Sequence, residues 1–185
     1  MTKQIVVLFS LIVLNFTFLK AQDNTSNISS NKLIRLNYPE TLQDLIKQFK
    51  GKVIYIDVMA SWCKPCIEEF KYTRELDRFF VEKDIVYIYI TIDDKSTIEK
   101  AYDLIKENSL NGYFVSYHNP VNKTESSDYV KFLDDLLFSV DDKGNKGFKG
   151  IPIYSIFDKE GKMVVKDALR PSSKEKLKEQ LNKYL

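Results

Sequence analysis

The sequence predicts an α/β domain: a central mixed β-sheet flanked by helices. Three observations lead to it. Helical and strand periodicities alternate along most of the chain. Ile85–Ile92 (IVYIYITI) is an unbroken apolar and aromatic run, as expected of a strand buried on both faces of a sheet. Near the C-terminus, Ile153–Asp158 and Met163–Lys166 flank Lys159-Glu-Gly-Lys162 in a β-hairpin pattern, with one more helical stripe behind it. A β-α-β-α order closed by a hairpin and a helix is that of a layered α/β domain.

The first 21 residues stand apart from that pattern. Lys3 begins a short basic region, Ile5–Leu14 is apolar at every position but Ser10, and Ala21 supplies a small residue at the expected cleavage point. This is the layout of a secretory signal peptide. Its apolar run is shorter than the roughly 20 residues that span a bilayer. The expectation is therefore an exported protein, periplasmic in a Gram-negative host, with no permanent membrane span after cleavage. Residues 22–32 read as a flexible leader rich in Ser and Asn, with weak glycosylation sequons at Asn24 and Asn27. The domain itself is expected over residues 33–185.

Within it, Leu42, Leu45, Ile46 and Phe49 recur at helical spacing behind Thr41, an N-cap residue, and Gly51 ends the helix. Val53–Asp57 is a β-branched strand, and a helix is expected from about Pro65 to Phe80. Ser96-x-x-Glu99 reads as a capping box for a helix carrying Ile98, Ala101, Tyr102 and Ile105. Tyr113–Tyr117 is a short strand. Tyr129, Phe132, Leu133, Leu136 and Leu137 form another helical stripe, and Asp142–Gly150 reads as a Gly-rich turn. Ser172-x-x-Glu175 reads as a second capping box, before Leu177, Leu181 and Leu185. The aromatic residues on these stripes, Phe70 and Phe132 among them, are core material by ordinary burial preference.

Charge and cysteine content narrow the function. The chain has 28 basic and 26 acidic residues, and the signal segment holds two lysines and no acid, leaving 26 of each sign. A charge-balanced domain is not a nucleic-acid backbone binder, and none is expected as partner. Two cysteines and the lone His118 cannot fill a four-ligand structural zinc site, so no metal is expected.

Those two cysteines carry the chemistry. Asp57-Val-Met-Ala-Ser-Trp-Cys-Lys-Pro-Cys66 puts Cys63 and Cys66 directly after a strand and at the start of a helix. Free backbone N–H groups and the helix dipole favour a thiolate at Cys63, and Lys64 adds a positive charge. Pro65 suits the first turn, where its missing N–H costs nothing. Cys66 lies inside that turn, within disulfide reach. A merely structural staple is the weaker reading, because a loop enclosing two residues gains little from closure. A metal pair is weaker still, with His118 as the remaining soft ligand.

Trp62-Cys-Lys-Pro-Cys66 after a strand ending in Asp57 resembles the thioredoxin superfamily. Gly150-Ile-Pro-Ile153 looks like its cis-proline loop, which implies a cis bond at Ile151–Pro152 packed against the cysteine pair and offering backbone to substrate. Within the superfamily, the signal peptide, Glu69, the extra αβ segment between Asp93 and Gly150, Phe157-Asp-Lys-Glu-Gly161 and Ala168-Leu-Arg-Pro-Ser172 are most similar to the exported TlpA/ResA-type thiol-disulfide oxidoreductases. The resemblance implies a thioredoxin-like fold with an αβ insertion before the cis-proline loop. It also implies a redox-active Cys63–Cys66 disulfide as sole redox group, without a further cofactor, and a monomer that exchanges with protein thiols and disulfides and with an upstream redox partner.

In the implied mechanism Cys63 attacks a substrate disulfide and Cys66 resolves the mixed disulfide. Asp57, matching thioredoxin's buried aspartate, and Glu69, matching the ResA-type carboxylate, are the candidate acid/base groups. Trp62, Lys64, Pro65, Ile151 and Pro152 shape the site. The chain departs from the pattern at three points: Tyr89 falls near the position of thioredoxin's lysine, Lys71 replaces a common proline, and Ile153 follows Pro152 in place of threonine. Reduction of protein disulfides is the expected direction. A thiol oxidase or isomerase of the same fold is the alternative. A peroxiredoxin-like peroxidase expects a Thr that Asp57–Trp62 lacks, and a copper-carrying domain expects Cys-x₃-Cys with a His partner.

Overall fold

A computed structural model of the protein describes residues 32–118 and 128–185. The expected signal peptide, the expected leader up to residue 31 and the sequons at Asn24 and Asn27 lie outside the described residues. No helix among the described residues is long and apolar enough to cross a membrane.

The elements run β1 (Leu33–Arg35), α1 (Leu42–Ile46, continued by a 3₁₀ turn at Lys47–Phe49), β2 (Ile54–Met59), α2 (Lys64–Glu82), β3 (Val86–Thr91), α3 (Ile98–Glu107), β4 (Gly112–Ser116), α4 (Asp128–Leu137), β5 (Phe138–Val140), β6 (Lys146–Phe148), β7 (Ile153–Phe157), β8 (Met163–Val165), a 3₁₀ turn (Pro171–Ser173) and α5 (Glu175–Asn182). Six strands form one sheet in the order β1-β4-β3-β2-β7-β8. β1, β4, β3 and β2 are parallel, and β7 and β8 add antiparallel. This is the mixed, helix-flanked sheet of the thioredoxin-like fold, with α3, β4, α4 and a small β5–β6 sheet lying between β3 and the loop before β7.

Successive side chains of a strand point to opposite faces, and both faces of β2 and β3 are covered. Tyr55, Met59, Tyr87 and Tyr89 pack with Phe70, Leu76 and Phe80 of α2 and Leu177 and Leu181 of α5. Ile54, Ile56, Val58, Ile88 and Ile90 pack with Leu45 and Ile46 of α1 and Leu133, Leu136 and Leu137 of α4. Each such aliphatic side chain contributes about 1.5–3 kcal/mol on burial, which makes β2 and β3 the rigid floor beneath the cysteines. Gly112 lets β4 close on that floor, since a Cβ there would stand 2.7 Å from the Tyr87 carbonyl oxygen.

The Thr41 cap forms as a full capping box: Thr41 Oγ1 accepts from Asp44 N at 3.0 Å, and Asp44 Oδ2 accepts from Thr41 N at 3.1 Å. The other two capping boxes do not. The N-cap of α3 is Thr97, whose side chain makes no capping bond, and Glu99 is gripped by both terminal nitrogens of Arg35 at 2.7 Å. Ser172 lies in the 3₁₀ turn, Lys174 breaks the backbone with φ of 46°, and α5 starts uncapped. The Gly-rich stretch holds a second hairpin, Phe138 opposite Phe148 and Val140 opposite Lys146. β1 has no counterpart in the sequence reading, and β2 runs two residues beyond Asp57.

Candidate functional site

β2 and β3 end side by side, and the chain leaving β2 turns through Ala60-Ser61-Trp62 into α2. The turn is held from the segment just after β3: Asp93, fully buried, accepts from Ser61 N at 2.7 Å and from Ser61 Oγ at 2.6 Å, and takes a third bond from Thr91 at the end of β3. These anchor the residues just before Cys63. Cys63 is the N-cap of α2, and its Sγ accepts from Cys66 N at 3.2 Å. Lys64 and Pro65 fill the first helical positions, where no N–H is needed for the helix ladder. The cysteines form a disulfide with Cα atoms 5.3 Å apart. Cys63 is 4% exposed and Cys66 1%, whereas Trp62 is 61% exposed beside them.

The second wall comes from the loop before β7. Gly150 takes a φ of 94°, and the Ile151–Pro152 bond is cis. The Ile151 carbonyl oxygen lies 3.7 Å from Cys63 Sγ, so the sulfur faces a main-chain acceptor as well as the helix start. Trp62, Cys63, Lys64, Pro65, Cys66, Ile151 and Pro152 thus gather at one end of the sheet. His118 stacks edge-on against Tyr117. Among the described residues no group of three or more His, Cys, Asp or Glu is arranged to hold a metal.

Asp57 lies beneath, on the β2 face that carries Tyr55 and Met59 against α2. It is buried, and burial pushes its pKa up from 3.8 to about 7. The Tyr87 hydroxyl, 2.9 Å from Oδ2, opposes that rise, and the negative charge of Glu69 adds to it. Tyr89 is the register partner of Asp57 on β3, yet the hydroxyl that reaches the carboxylate comes from Tyr87, a pleat earlier. Burial and the Asp57 charge hold the Tyr87 hydroxyl well above its ordinary pKa, so it remains a donor.

Glu69 does not share that arrangement. Its carboxylate accepts from Ser172 N and Ser172 Oγ, both at 2.8 Å, tying α2 to the 3₁₀ turn at the far end of the chain. Sequence reasoning missed Tyr87, Asp93 and Ser172. For Asp93 there was a local signal, an acid closing a strand level with the cysteine turn. For Tyr87 and Ser172 the partner is fixed by tertiary contact alone.

The family model described as Redoxin matches residues 20–184. The thiol-disulfide oxidoreductase ResA of Bacillus thuringiensis subsp. konkukian is 27% identical over 140 residues, 76% of this chain and 65% of that protein. The chain thus spans about two-thirds of the length of that curated relative. A crystal structure of a candidate thiol-disulfide oxidoreductase from Bacteroides vulgatus is 27% identical with a TM-score of 0.54, covering 75% of this chain and 82% of that one. A crystal structure described as a candidate thiol:disulfide interchange protein DsbE, from Chlorobium tepidum, shares the fold at 19% identity and a TM-score of 0.53, over 75% and 84% of the two chains.

Proposed function

Because the chain belongs to the Redoxin family, we propose that it is an exported thiol-disulfide oxidoreductase that reduces protein disulfides through Cys63 and Cys66. One observation carries the reading: Cys63 Sγ sits at the N-terminus of α2 and accepts the Cys66 N–H at 3.2 Å, and Cys63 is the more exposed residue of the pair. That setting stabilises a thiolate where a partner can reach it. The names of the relatives support the same activity.

The proposed reaction is dithiol–disulfide exchange. In the reduced protein the Cys63 thiolate attacks a substrate disulfide, one substrate sulfur leaves as thiolate, and a mixed disulfide forms. Cys66 then loses its proton and attacks Cys63 Sγ. The second substrate sulfur departs reduced, and the protein is left with the Cys63–Cys66 disulfide. Two electrons pass to the substrate, and an upstream dithiol partner returns them. No cofactor or metal enters this scheme, the protein acts as a monomer, and nucleic acid has no part. Asp57 takes the Cys66 proton. Glu69 acts indirectly, its charge raising the proton affinity of Asp57. The cis-Pro152 loop offers its backbone to the substrate chain, and exposed Trp62 and Lys64 flank the approach.

Cys63→Ala is expected to abolish disulfide exchange, whereas Cys66→Ala traps mixed disulfides with substrate; equal trapping by both variants would sink the assignment. Direction is tested by the reduction potential of the pair against glutathione. A reductase lies near thioredoxin's value of about −270 mV, and a value near DsbA's, about −120 mV, would make the protein an oxidant.

A further inference from the structure

The two oxygens of Asp57 have different surroundings. Oδ2 accepts the Tyr87 hydroxyl, while Oδ1 is buried with no hydrogen-bond partner among the described residues. The ionisable groups that face the carboxyl are Tyr55 from its own strand, Tyr87 and Tyr89 from β3, Tyr154 opposite it on β7, and Glu69 from α2. None is a cation. Arg170, in the segment before the 3₁₀ turn, acts on Tyr55 and Tyr154. Among the described residues, the hydroxyls of Tyr89 and Tyr154 have no hydrogen-bond partner. A buried carboxylate is disfavoured unless it is paired or hydrogen-bonded, and among the described residues a single phenol supplies that pairing.

We propose that Tyr87 is the positioning residue of the resolving step: by donating to Asp57 Oδ2 it favours the ionised form of the carboxyl, with Oδ1 left free to take the Cys66 proton. This rests on the reading that Asp57 accepts that proton. In the step, the Cys66 thiol proton moves to Asp57 Oδ1 as Cys66 Sγ bonds to Cys63 Sγ. The bond between Cys63 and the substrate sulfur breaks, and the departing thiolate carries the electron pair. Asp57 is then neutral and returns its proton to solvent before the next turnover. The phenol suits the task because its own proton is far too tightly held to be lost. It therefore biases Asp57 by a hydrogen bond without adding a second charge that would cost solvation in the core.

The test uses the reduced full-length protein and the aromatic disulfide DTNB, which releases one coloured thiolate on attack by Cys63 and a second on resolution by Cys66. In the wild type, the rate of the second release rises with pH around a midpoint near the Asp57 value of about 7. Tyr87→Phe is expected to move that midpoint up by about 1 pH unit while leaving the high-pH rate within about twofold, the size expected for one hydrogen bond to a charged group. Tyr89→Phe, which removes an unpaired hydroxyl from the same cluster, leaves the midpoint in place. Asp57→Asn removes the midpoint. If Asp57→Asn keeps the wild-type profile, the assignment of Asp57 fails first. If Asp57→Asn loses the midpoint but Tyr87→Phe does not move it, or moves it no more than Tyr89→Phe does, the role of Tyr87 is overturned. Should Tyr87→Phe not fold, 3-fluorotyrosine at position 87 provides a stronger donor and lowers the midpoint; an unmoved midpoint there overturns the proposal.

Discussion

Asp57 has a proton affinity that folding creates. In the unfolded chain its carboxyl titrates near 3.8, and in the folded protein near 7. Below the unfolded value both states are protonated and burial adds no ionic penalty. Between the two values the unfolded state ionises and the folded one does not, so stability falls as pH rises from about 4 to about 7 and then levels off. Asp57→Asn removes this dependence. The variant is expected to gain on the wild type across that window, by on the order of 4 kcal/mol as a ceiling. Guanidinium unfolding at about pH 4 and about pH 8 reads it, and a constant difference between the two proteins would contradict it. Its position six residues before Cys63 made Asp57 recognisable in the sequence. Its partner was not, because strand register points to Tyr89 while the reach of a phenol from the previous pleat decides in favour of Tyr87.

Helix starts show where local pattern stops being informative. Three Ser/Thr-x-x-acid patterns precede helices here, and only Thr41-x-x-Asp44 closes as a box. Glu99 is taken by Arg35, 64 residues away, and Ser172 by Glu69, 103 residues away. A charge-assisted bond to a distant partner outcompetes a local cap that is worth about 1 kcal/mol. The long buried strands β2, β3 and β7 and the helix α2 were readable because their apolar patterns extend over many residues. β1, β5 and β6 have three residues each, too few for a period, and owe their strand form to pairing. The Glu69–Ser172 tie makes a prediction: Ser172→Ala keeps the main-chain bond but leaves one oxygen of a buried carboxylate unpaired. Stability is expected to fall by about 1–3 kcal/mol, read as a lower denaturation midpoint with unchanged slope. No loss on Ser172→Ala would mean that water replaces the hydroxyl without cost.

The domain as a unit hangs its chemistry on the most deeply buried part of the sheet. β2 and β3 are covered on both faces, and the cysteine turn is bolted to their ends through Asp93, so the sulfurs are held by the core rather than by a free loop. Cys63 and Cys66 close a ring around only two residues. The unfolded chain can therefore close the same ring with little added constraint, and folding and redox chemistry form one thermodynamic cycle. The difference in folding free energy between the oxidised and reduced protein equals the displacement of its potential from that of the unfolded pair, at about 1.4 kcal/mol per 30 mV. The gap between a thioredoxin-like and a DsbA-like potential, about 150 mV, corresponds to about 7 kcal/mol. A reductase must unfold later when oxidised than when reduced; an oxidant, the reverse. Two denaturation curves, with and without reductant, would thus report which way electrons leave this domain before any substrate has been found.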